Sequence, residues 1–166
     1  MFKSITDFIV EWKSESESTE KVLMALTDES LKQKVYQEGR DLGYIAWHIV
    51  ITLVEMTSYT GIKVSGPDIS DPIPGKANDI LESYRASSKS LMESIENAWT
   101  DEMLEDDLSL YGETWKRAVL LRALIMHQAH HRGQITVLMR QAGLPVPGVY
   151  GPSKEEWISY GMPAQA

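Results

Sequence analysis

Three of the four histidines in this chain, His127, His130 and His131, fall within five residues, and the fourth is His48. There is no cysteine, so disulfides, zinc–thiolate sites and a cysteine nucleophile are excluded together. Imidazoles that converge in such a chain are a natural ligand set for one divalent transition metal. Three neutral rings would leave roughly one to three coordination positions for water or substrate. Zn, Ni, Fe, Mn and Co all suit such a set, and affinity order does not choose among them.

The spacing decides which rings can meet. At about 100° per residue, His131 lies about 40° round a helix from His127 and one turn along, with Cβ atoms about 5–6 Å apart. Leu120, Leu124, Ile135 and Leu138 lie within about 80° of His127, so the pair interrupts an apolar stripe that must face a core. A buried imidazole without a partner is costly, and one ion satisfies two rings at once. His130 lies about 60° the other way, which leaves it as a third ligand, a group behind the ligands, or an exposed residue. His48 is flanked by Ile45, Ala46, Trp47, Ile49, Val50 and Ile51, an interior setting on another helix.

Other polar residues near these rings are candidates for supporting roles. Glu55 lies two turns beyond His48 and about 20° away, with Tyr44 and Thr52 within about 40°. Its carboxylate there is suited to orient an imidazole, ligate the metal or act as general base; the plainer reading is a solvated or salt-bridged glutamate. Gln134, on the His127 face, is placed to hydrogen-bond near the site or only to pack. The zincin pattern His-Glu-x-x-His fails because Gln128 stands where the glutamate belongs, so a peptidase is disfavoured. Glu-x-x-His pairs are absent from these helices, which disfavours a carboxylate-bridged di-iron bundle.

Four helical segments must position these groups, at about residues 4–26, 41–60, 77–99 and 114–142. Asp41 is a candidate N-cap, and Gly61 and Gly143 are candidate stops. Gly66-Pro67 and Asp71-Pro72-Ile73-Pro74-Gly75 break any regular element, so a long crossover joins helices 2 and 3. The acidic stretch 101–107 and residues 108–112 form a second connection with a hairpin-like excursion, and a short helix is expected near 153–159. No period-two run is long enough to argue for a sheet. The expected fold class is all-α, an antiparallel four-helix bundle in one domain, 1–166.

Composition agrees. At 166 residues and 43% hydrophobic, the chain is long enough for one core. A net charge of −8 with no basic run argues against nucleic acid as a partner. The N-terminus lacks the plan of a signal peptide and no stretch is apolar enough to span a membrane, so a cytoplasmic protein with no membrane partner is expected.

Trp47-His48, then His127-x-x-x-His131-Arg132-Gly133-Gln134 with Leu138, Arg140 and Gly143, and the tail Pro147-Gly148-Val149-Tyr150-Gly151, resemble the DinB family along essentially the whole chain. That family is related to the bacillithiol- and mycothiol-dependent transferases and to mycothiol-dependent maleylpyruvate isomerase. The resemblance implies a four-helix bundle, often a homodimer. It implies His48, His127 and His131 as metal ligands, with His130 outside them. It also implies a metal-dependent enzyme that transfers a low-molecular-weight thiol to a small electrophile. Hydrolysis of a small molecule, with Glu55 or His130 accepting the proton, is the related chemistry. A non-catalytic metal-binding stress-response protein is the alternative. Induction by DNA damage, which gives the family its name, does not imply contact with DNA.

Overall fold

The structure is a computed structural model that describes residues 1–163. The last three residues of the expected 1–166 domain lie outside the described residues. Four helices carry the chain: α1 (Ile5–Met24), α2 (Leu42–Ser58), α3 (Ala77–Ala98) and α4 (Arg117–Gln141). Each of α1 and α2 packs on both α3 and α4, so α1 and α2 stand diagonally in the bundle. The link between α1 and α2 therefore crosses one end of it, and residues 59–76 form the long crossover to α3. No described helix is long and apolar enough to cross a membrane.

Local chemistry sets the helix ends. The Ser4 hydroxyl accepts from the Asp7 amide at 3.1 Å, and the Asp41 carboxylate from the Tyr44 amide at 2.8 Å. Both are N-caps that satisfy an otherwise orphaned donor. Helix α4 stops at Gly143, whose φ of +74° is the left-handed conformation glycine adopts without strain.

The connection between α3 and α4 differs from the sequence expectation. Residues 114–116, expected in the last helix, belong to a strand, and α4 begins at Arg117. Strands β1 (Asp107–Leu110) and β2 (Glu113–Lys116) pair antiparallel, with Leu108 opposite Trp115. Leu108 and Leu110 alternate inward onto the core, a period-two pattern too short to stand out in the sequence. Tyr111 and Gly112, both at positive φ, make the two-residue turn. The short terminal helix forms as a 3₁₀ turn at Glu156–Tyr160.

Most of the core is apolar, with Phe8, Trp12, Leu53, Ile80, Leu91, Leu120 and Ile135 fully buried. One polar network crosses it. Arg132, 2% exposed, donates to the Glu15 carbonyl at 2.9 Å, the Thr19 hydroxyl at 3.0 Å and the Glu15 carboxylate at 2.5 Å. Tyr150 from the tail donates to the same carboxylate at 2.9 Å. Gln128 donates to the Ile49 carbonyl at 3.2 Å and accepts from Thr19 at 3.4 Å. These bonds fix the rotation of α4 against α1 and α2, because each polar group left unpaired inside would be penalised.

Removing one member of the buried ion pair should therefore cost more than removing both. Arg132→Met is expected to lower unfolding free energy by about 3–5 kcal/mol, and Glu15→Met combined with Arg132→Met to recover most of that loss. Denaturant titration of the three variants measures it; equal losses in single and double variants would contradict the pairing.

Candidate metal centre

Helices α2 and α4 lie side by side, and α2 presents His48 and α4 presents His127 and His131 from the middle of an apolar face. The ring nitrogens of His48, His127 and His131 lie within 4.8 Å of one another, the arrangement of a group that could hold a metal ion. His127 Nε2 stands 3.1 Å from His48 Nε2 and 3.1 Å from His131 Nε2. The rings meet at steep angles, with His131 edge-on to His48 at 85° and to His127 at 70°. Their nitrogens thus point to one place instead of the rings stacking. In neutral rings one proton serves only one of these close contacts well, whereas one cation serves all three lone pairs. Nitrogens 3.1 Å apart both reach an ion at about 2.0–2.1 Å, the usual length of an imidazole–zinc bond.

The surroundings fix the rings in a state able to ligate. His131 Nδ1 lies 2.7 Å from Gln134 Oε1. That oxygen only accepts, so the proton sits on Nδ1 and the Nε2 lone pair faces the other two rings. Tyr44 stacks on His48 at 6.2 Å with 16° between the planes. His127 Nδ1 is buried without a hydrogen-bond partner among the described residues, so packing holds that ring from behind.

Burial, with repulsion from His131 and Arg40, pushes His48 down to about 4. Burial, with repulsion from His131, His48 and His130, pushes His127 down to about 4 as well. Burial lowers His131 too, against an opposing pull from Gln134. All three are thus neutral near pH 7, the form that binds metals.

The other candidates fall outside this trio. The Glu55 carboxylate does not join the group; both its oxygens accept from the Tyr111 hydroxyl, at 3.1 and 2.8 Å. That contact ties the hairpin turn to α2, a use of Glu55 that the azimuth alone did not indicate. His130 is exposed, with its ring edge-on to His131 at 4.8 Å. Gln134 is at the site, behind His131. Thr52 turns to its own helix and donates to the His48 carbonyl at 2.8 Å. Arg132 and Glu15 carry the buried network, a role not read from the sequence, where Arg132 figures only in the family motif. Their signal was a polar run in the middle of α1 and an arginine next to a core-facing histidine.

A mostly α-helical bundle with a three-histidine group between two helices is the class these features define. The DinB family model matches residues 1–163, and the chain belongs to the DinB family. It is 43% identical over 164 residues to the uncharacterized protein YrdA of Bacillus subtilis strain 168, covering 99% of this chain and 98% of that one. It superposes with a TM-score of 0.87 on the crystal structure of a DinB-like protein from Bacillus cereus ATCC 10987. That protein is 43% identical, with 90% of this chain and 100% of the other covered. A DinB-like protein of Bacillus subtilis, YjoA, shares the fold at a TM-score of 0.64 and 15% identity, over 86% and 96% of the two chains.

The lowered histidines set an acid limit on the metal-free protein. Unfolded histidines take up protons near their ordinary value of 6.5, while folded His48 and His127 wait until about 4. The unfolded state therefore binds more protons between these values, and stability present above pH 6.5 is lost as the pH falls towards 4. Thermal midpoints of metal-free protein should fall across that window, and less steeply in His48→Asn; a flat profile in the wild type would contradict the lowered values.

Proposed function

We propose that the protein is a metal-dependent enzyme that joins a low-molecular-weight thiol to a small electrophile. In this reading His48, His127 and His131 hold one divalent transition metal through Nε2. The observation that carries it is the convergence of three neutral imidazoles with no fourth His, Cys, Asp or Glu joining the group among the described residues. Structural zinc sites are closed by four protein ligands, whereas catalytic ones keep a position open. The ring spacing supports the same reading. With bonds of about 2.1 Å, tetrahedral ligand atoms stand about 3.4 Å apart and right-angled ones about 3.0 Å. The 3.1 Å separations of His127 Nε2 from the other two Nε2 atoms are compatible with ligation of one ion by all three rings.

A divalent cation held there supplies Lewis acidity, which lowers the pKa of a thiol or water that it contacts. The chain's own residues supply the rest. Gln134 keeps the His131 lone pair aimed inward, and Tyr44 lies against His48. With no cysteine in the chain, the sulfur comes from the small-molecule thiol. As that sulfur bonds to the electrophilic carbon, the leaving group departs with its electron pair. The thiol proton passes to solvent or to the exposed His130.

Protein purified without a polyhistidine tag should contain about one transition-metal ion per chain by elemental analysis. It should accelerate conjugation of small thiols to 1-chloro-2,4-dinitrobenzene. His127→Ala should lose both the metal and the acceleration while remaining helical by circular dichroism. Acceleration that is equal in wild-type, chelator-treated and His127→Ala protein would overturn the reading.

A further inference from the structure

A cavity of about 500 Å³ lies beside Gln134, the residue that bonds His131, and its size accommodates a small organic molecule. Its wall includes Tyr36, Glu38 and Arg40 from the link before α2, Ile45 from α2, and Gln134 and Val137 from α4. Two of these residues connect the cavity to the trio, Gln134 directly and Arg40 through Tyr44. Gln134 bonds His131 at 2.7 Å, so the cavity begins where the imidazole is oriented. The Arg40 guanidinium lies 4.6 Å from the centre of the Tyr44 ring, and that ring stacks on His48. The cation thus stands one aromatic layer away from a histidine of the cluster.

Arg40 makes no salt bridge among the described residues, although the chain carries a net charge of −8. Its fork of N–H donors matches a carboxylate or phosphate in a bidentate fashion. Glu38 is the one acid on the wall, and it makes no salt bridge with Arg40. Tyr36 and Val137, 65% and 54% exposed, offer apolar surface in the same recess.

We propose that this cavity receives the small-molecule substrate of the metal centre, and that Arg40 selects a compound with a carboxylate or similar oxyanion and an apolar body. The proposal rests on the reading of the trio as a catalytic metal site. The apolar part lies along Tyr36, Ile45 and Val137 and the anionic part against Arg40, which leaves the reacting end near the Gln134 side of the cavity.

Titration of 3-phenylpropionate and 3-phenylpropionamide into ¹⁵N-labelled protein, followed by two-dimensional NMR, tests it with and without added metal. The carboxylate should shift the Gly39, Gln134 and Val137 amides and bind about tenfold more tightly than the amide. Arg40→Met should abolish that preference, and Glu38→Gln should retain it. Equal affinities, a preference that survives Arg40→Met, or no shifts with either compound would overturn the proposal. Because the preference for the anion does not require the ion, the metal-free titration decides it even if the chain takes up no metal. Failure to bind metal instead counts against the enzymatic reading.

Discussion

Three imidazoles in a largely apolar seam between α2 and α4 set the terms for the rest of this molecule. Burial disfavours their charged forms and holds them neutral, and neutral rings at 3.1 Å cannot all satisfy one another with the protons they have. The bundle tolerates this arrangement because the surrounding helices are fixed elsewhere. A group of this kind is pre-organised for a cation, because the scaffold by itself brings the three ring nitrogens together.

Much of that fixing is done by the residue next to His131. Arg132 points away from the histidines into the α1 side of α4, where Glu15, Thr19 and Tyr150 consume its donors. Gln128 does the same one residue after His127 and reaches the Ile49 carbonyl, next to His48 on α2. The two core-facing histidines of α4 are thus each followed by a buried polar residue that locks the rotation of the helix. A change in that rotation would displace both rings together. The tail enters the same network through Tyr150, and so links the C-terminal segment to the ring positions.

The histidine trio was legible in the sequence because helical periodicity is regular over long segments: the i, i+4 pair and its apolar neighbours defined a face without any tertiary information. His48 was readable from its uniformly apolar flanks. The hairpin was harder, since two four-residue strands give too few alternations to outweigh a helical pattern, and residues 114–116 were drawn into α4. Glu55 shows the limit of azimuth. It lies on the expected face, but its partner, Tyr111, comes from a turn whose position depends on tertiary packing. The Glu15–Arg132 pair was hidden for the same reason, since 117 residues separate its members and a polar run on one helix does not name its partner. The cavity beside Arg40 likewise depends on how the α1–α2 link crosses the end of the bundle.

The central claim is that the three Nε2 atoms together form an open metal site. X-ray absorption spectroscopy at the metal edge of tag-free, metal-loaded protein tests it most directly. Three imidazole nitrogens at about 2.0–2.2 Å are expected, and a small thiol should add a sulfur neighbour at about 2.3 Å. A spectrum without imidazole scattering, or a shell closed by a fourth protein ligand that a thiol leaves unchanged, would contradict the account.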